Sequence, residues 1–85
     1  MINKLREEID RIDNSIIELL SKRKGIVKKI AGIKKQENNP VIDKEREQET
    51  IHRLKKLSKE NGLDENFIES IYEIIINNSR NEQEK

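Results

Sequence analysis

The sequence has no cysteine and no tryptophan, and only one histidine, one proline, one tyrosine and one phenylalanine. Without cysteine there is no disulfide frame, no thiolate metal site and no thiol nucleophile. His52 alone cannot build a histidine-based metal centre or a Ser-His-Asp triad. Aromatic residues make up 2% of the chain and the formal net charge is +1, with both signs interspersed. There is thus neither a stacking platform nor a basic block for nucleic acid. The segment Met1–Glu8 carries no apolar signal core, and no apolar run is long enough to span a bilayer. A cytoplasmic protein with no membrane partner is expected.

Apolar residues are 32% of the 85 and charged residues 41%, which suits one domain, residues 1–85, with little material for a core of its own. What is present is a long heptad seam. Leu5, Ile9, Ile12, Ile16, Leu19, Arg23, Ile26, Ile30 and Ile33 follow one another in alternating steps of 4 and 3. A sustained 3.5-residue repeat means one long helix whose seam packs on other helices. Only Arg23 breaks it. A guanidinium cannot lose its proton to escape burial, so it must meet an anion, supplied by another side chain or by a ligand.

The pattern predicts an all-α fold of one long and two shorter helices. The first spans about 3–36, with Asn3 as N-cap, and passes Gly25 and Gly32 without losing phase. Close approach of another helix is the expected reason for those glycines. Glu37-Asn38-Asn39-Pro40 is a joint, because Pro40 lacks an amide hydrogen and pushes Asn39 toward extended geometry. Asp43 caps a second helix over about 43–60, stopped by Asn61-Gly62. Leu63 and Ile68 flank Asp64 as a hydrophobic staple. The third helix runs from about Glu65 to Arg80 or beyond, with Asn81–Lys85 expected to fray. The first helix is about 50 Å long and the others roughly half that, so they cover only part of the seam. The remainder implies an intertwined homodimer.

The other two helices also carry polar residues on inward stripes. Ile51, Leu54 and Leu57 extend backward to Glu47 and Thr50, then to Asp43 and Arg46. Ile68, Tyr72 and Ile75 extend forward to Ser79 and Gln83. Plain explanations exist for each. Arg23 could pair with Glu47, Asp43 could be only a cap, and Arg46, Glu47 and Lys34 could be solvated. Ser79 and Gln83 could belong to a fraying end, His52 to the surface and Tyr72 to the core. Taken together they say more. Arg23 and Lys34 lie eleven residues apart and project from one face, about 16 Å apart along the axis. Arg6 is seventeen residues before Arg23, about 25 Å away, and can reach the same ligand only from the partner of an antiparallel dimer. Three arginines, a lysine, a glutamate and a glutamine suit a small dianion bearing a hydroxyl.

These residues resemble the all-helical chorismate mutase family over almost the whole chain. The resemblance is carried by Leu-Arg-Glu-Glu-Ile-Asp-Arg-Ile-Asp at 5–13, Leu-Leu-Ser-Lys-Arg at 19–23 and Ile30–Lys34. Pro40-Val41-Ile42-Asp43, Arg46-Glu47 and Ile74–Gln83 with Ser79 complete it. It implies an intertwined homodimer with two sites, each built from both chains, and chorismate as substrate. Arg6 of the partner subunit, Arg23 and Arg46 would hold the two substrate carboxylates. Lys34 and Gln83 would face the ether oxygen of the breaking bond. Glu47, with the backbone near Asp43, would hold the ring hydroxyl, and Ser79 would assist at a carboxylate. The implied reaction is a concerted Claisen rearrangement to prephenate, on the route to phenylalanine and tyrosine. It needs no nucleophile, metal or cofactor. Some relatives carry glutamate where Gln83 stands. Glutamine donates whatever its surroundings, so activity should depend weakly on pH across neutrality. The short chain suggests a free-standing enzyme.

Two rivals remain at this level. Some relatives are isochorismate-pyruvate lyases, which use a similar pocket and a lysine near the joint after the first helix, where Lys34 and Lys35 lie. A non-catalytic helical dimer or adaptor would explain the seam but not the polar ends of the other stripes. Arg23→Leu separates them. An enzyme should stay folded by circular dichroism yet lose nearly all turnover, whereas a structural module should be unharmed or stabilised, since buried ion pairs are often replaceable by apolar groups.

Overall fold

The computed structural model describes residues 1–84, all of whose regular structure is helical: α1 Ile2–Gln36, α2 Lys44–Glu60 and α3 Glu65–Glu84. Lys85, placed in the fraying tail by the sequence reading, lies outside the described residues. Two ends differ from expectation. The N-cap of α1 is Met1, with no side-chain cap, because a Leu5 N–H to Met1 carbonyl bond of 3.3 Å closes the first turn two residues before Asn3 could cap it. At the other end, Asn81 to Glu84 are helical rather than frayed. Glu82 explains this: its carboxylate lies 3.4 Å from Lys24 Nζ and 3.6 Å from Lys28 Nζ on α1.

The two joints use the same device. After α1, Asn38 adopts a positive φ of 60°, its N–H bonds to the Lys35 carbonyl at 3.2 Å, and the Asn39 N–H bonds to the Lys34 carbonyl at 2.9 Å. After α2, Gly62 has φ 70°, its N–H bonds to Lys59 at 3.2 Å, and the Leu63 N–H bonds to Ser58 at 2.8 Å. Both are Schellman closures, which satisfy the last carbonyls and turn the chain away from the axis. Restarts are capped by aspartate. Asp43 Oδ1 accepts from the Arg46 N–H at 3.0 Å, and Asp64 Oδ1 accepts from the Asn66 N–H at 2.7 Å.

α3 is the central element. It packs on α2 and on α1, whereas no Cα of α1 comes within 8 Å of one in α2. α2 and α3 form an antiparallel pair whose register shows in successive ion pairs. Lys59 meets Glu65 at 3.4 Å, Lys55 meets Glu69 at 3.2 Å, and Glu47 meets Arg80 at the far end. These pairs fix the register; the most exposed, Lys59–Glu65, contributes about 0–1 kcal/mol. The apolar core is Ala31, Leu54 and Ile76, with Ser58 beside them donating to the Leu54 carbonyl at 2.6 Å. Burying Leu54 and Ile76 stabilises by about 1.5–3 kcal/mol each.

That core is too small for this chain alone. Every residue from Met1 to Lys22 is exposed, and the eight apolar seam residues are 44–62% exposed. The radius of gyration is 15.8 Å, where a compact chain of this length has about 12 Å. Accessible surface is 7189 Å², where a folded monomer of this mass shows about 5,300 Å².

Gly25 and Gly32 meet nothing within 4 Å at the position of a Cβ, so no element of the chain approaches them, contrary to the expectation of close helix packing. Gly25→Ala should therefore raise stability by about 0.5–1 kcal/mol through helix propensity. Gly62→Ala should lower it by about 1–2 kcal/mol because of the positive φ. Thermal melts of the two variants should move in opposite directions. A fall in melting temperature for Gly25→Ala would mean that another chain packs there.

Candidate active site

The second half of α1, the start of α2 and the end of α3 wall a cavity of about 590 Å³. Seven of the eight residues singled out from sequence line it: Arg23, Lys34, Asp43, Arg46, Glu47, Ser79 and Gln83. The eighth, Arg6, lies outside it on the exposed N-terminal half of α1. Tyr72, expected in the core, is half-buried and lines the wall beside Ile76. His52 is exposed, as a surface residue should be.

Local structure explains these placements. The Schellman turn at Asn38 ends α1 two residues after Lys34, and Pro40-Val41-Ile42 carry the chain back. Asp43 then comes to rest with Oδ2 4.0 Å from Lys34 Nζ. The same aspartate caps α2 through its other oxygen, so one side chain fixes both the helix start and a wall of the cavity. Arg46 and Glu47 follow in the first turn. Arg46 Nη1 lies 3.9 Å from Glu49 Oε2. Thr50 donates back to the Arg46 carbonyl at 2.9 Å and presents no free hydroxyl proton to the cavity.

Arg23 donates to Ser79 Oγ at 2.5 Å, and Ser79 in turn donates to the Ile75 carbonyl at 3.0 Å. The structural salt bridge between Arg23 and Glu47 considered above does not form. Glu47 is taken instead by Arg80, whose Nε donates to Oε2 at 2.9 Å while its Nη2 donates to Oε1. Among the described residues no carboxylate lies in ion-pairing range of Arg23. Its one recorded partner is a neutral hydroxyl.

The cavity is strongly cationic. Lys22, Arg23, Lys34, Arg46 and Arg53 face two carboxylates, Asp43 and Glu47, and Arg80 neutralises the second from outside. The Arg80 hydrogen bonds hold the Glu47 carboxyl below its ordinary pKa, against the opposing effect of burial; Lys44 lowers it further and Asp43 raises it. Glu47 reciprocally raises the pKa of Arg80. A depressed carboxylate pKa means that the stabilisation is present at neutral pH and is lost as pH falls through the lowered value. No group of three or more His, Cys, Asp or Glu among the described residues could hold a metal ion. The arrangement can clamp a small organic dianion and present it with cationic and amide donors.

The comparisons with known proteins agree with this chemistry. A family model described as chorismate mutase type II matches residues 5–84. The chain belongs to that family. It is 41% identical over 83 residues to the chorismate mutase of Methanocaldococcus jannaschii, covering 94% of this chain and 84% of the relative. It is also 41% identical over 80 residues to a bifunctional chorismate mutase/prephenate dehydratase of Buchnera aphidicola, and 32% identical over 75 residues to one of Escherichia coli K12. The chain spans 21% and 19% of the length of those two.

Sequence reasoning missed Arg80, Lys22 and Arg53. Arg80 carried a usable signal: it lies four residues after Ile76 and three before Gln83, hence on one face of α3 with both. The order of that last turn depends on Glu82, whose side chain is only 8% exposed between Lys24 and Lys28. Glu82→Gln should therefore speed amide exchange over residues 80–84 severalfold, leaving α2 unchanged, and high salt should act on the parent protein in the same direction. Unchanged exchange at the end of α3 would count against this tether.

Proposed function

We propose that this protein converts chorismate to prephenate, working as a homodimer with one site on each side of the paired long helices. The observation that carries this reading is Arg23. It is half-buried on an otherwise apolar seam, faces a cationic cavity, and has no carboxylate partner among the described residues. A ligand carboxylate completes it. The family to which the chain belongs supplies the substrate that fits.

In the proposed mechanism Arg23 and Arg46, with Arg6 of the partner subunit, hold the two carboxylates and fold the enolpyruvyl arm over the ring. Glu47 and the backbone near Asp43 hold the ring hydroxyl. Ser79, already bonded to Arg23, fixes that guanidinium and assists at the carboxylate it binds. As the ether C–O bond breaks and the new C–C bond forms, negative charge builds on the ether oxygen. Lys34 and Gln83 stabilise it, and removing one such donor costs about 10²–10³-fold in turnover. The bond reorganisation is internal to one molecule, so no proton, electron or group passes to the protein.

The dimer rests on the exposed seam. The surface beyond that of a typical monomer of this mass, about 1,900 Å² per chain, is what an extensive obligate interface would remove. No helix among the described residues is long and apolar enough to cross a membrane, and a cytoplasmic location accords with that.

The test is to incubate the protein with chorismate and identify the product. Prephenate is expected; salicylate with pyruvate would instead make it a lyase, and no acceleration by folded protein would end the proposal. The shared site has its own test. Arg6→Ala and Arg23→Ala should each be nearly inactive. Refolded together, they should regain about a quarter of the parent activity, since half of randomly paired dimers carry one intact site. No recovery would place Arg6 elsewhere.

A further inference from the structure

We infer that Arg80 is a positioning residue for the reaction: it grips both oxygens of Glu47 from the outer groove, fixes that carboxylate at the cavity wall, and keeps it off the substrate-binding arginines. The inference rests on the assignment of Glu47 to the substrate hydroxyl.

The geometry has three parts. The grip is a fork, with Nε on one carboxylate oxygen at 2.9 Å and Nη2 on the other. Two parallel bonds fix the plane of a carboxylate, where a single bond would let it swing. The two residues stand 33 positions apart on different helices, so the grip depends on the α2–α3 register and on no local turn. The direction of approach also matters. Glu47 borders both the cationic cavity and a second groove on the outer side of α2 and α3, whereas Arg80 borders only the outer groove. Arg80 therefore does not touch a ligand in the cavity. It uses one lone pair on each oxygen and leaves each oxygen able to accept from a hydroxyl in the cavity.

Charge makes the restraint necessary. On the cavity side Glu47 faces Arg23, Lys34, Arg46 and Arg53. A loose carboxylate among these cations would collapse onto one of them and compete with the substrate carboxylates. Arg23 is the available target, since no carboxylate among the described residues occupies it. Arg80 prevents this by supplying a stronger partner on the opposite side. That partnership also keeps Glu47 ionised, and hence an acceptor.

A double-substitution cycle on the full chain tests this. Arg80→Gln, folded as judged by circular dichroism, should lower kcat/KM about tenfold or more, with KM rising as Glu47 turns inward. Arg80→Lys keeps the charge without the fork and should fall between this variant and the parent. Glu47→Gln should itself be impaired, and adding Arg80→Gln to it should cost less than twofold more, because a residue that acts through Glu47 has nothing left to position. Arg80→Gln within twofold of the parent, beside an impaired Glu47→Gln, overturns the inference alone. Losses that multiply in the double variant overturn it too, assigning Arg80 a general structural role. A fully active Glu47→Gln removes the assignment of Glu47, and this inference with it. Should Arg80→Gln not fold, the same cycle run with Arg80→Lys decides.

Discussion

A guanidinium keeps its charge at any pH a protein meets, and that constraint organises this molecule. Placed on an apolar seam, Arg23 cannot be neutralised as a buried lysine or carboxylate could. The fold answers with a hydroxyl from Ser79 on α3 and leaves the charge itself uncompensated. The one carboxylate on α2 that could compensate it is held by Arg80 from the other side. The cavity is therefore kept positive by the same contacts that hold α3 against its neighbours. Assembly of the fold and the gathering of positive charge around the cavity are one event.

α3 carries most of this work. Through Ser79, Glu82 and the core residue Ile76 it packs on α1 and α2, and through Arg80 it anchors the first turn of α2. Its last turn would be the weakest part of an isolated helix, with carbonyls that no intrahelical donor satisfies. Here it is fastened on two sides, to Lys24 and Lys28 by Glu82 and to Glu47 by Arg80. Gln83, between these anchors, comes to line the cavity at a place where sequence alone suggests a loose end.

The helices were legible because their signals are local. The 3.5-residue seam, Pro40, the Asn61-Gly62 stop and the capping aspartates each act over a few residues, and the bounds of α2 and the start of α3 follow from them. The start of α1 was misjudged because an exposed first turn can close on Met1 without any side-chain cap. The order of Asn81–Glu84 was missed because it comes from α1, more than fifty residues away in sequence. For the site, inward polar residues on three stripes were enough to nominate seven residues that line one cavity. Which of them pair was not legible. Arg23 with Glu47 and Arg80 with Glu47 are equally consistent with periodicity, and only the α2–α3 register chooses between them.

The absence of any backbone approach between α1 and α2 bears on how the site responds when filled. The long Lys34–Asp43 pair spans the cleft between them, and α3 stands at its back as a hinge pin. In the proposed function, a dianion clamped by Arg23 on one wall and Arg46 on the other would be a strut across the open side. It completes a triangle of which the empty protein supplies two edges. Ligand occupancy should then stiffen this fold as well as engage it, so the Michaelis complex is mechanically a different object from the resting chain.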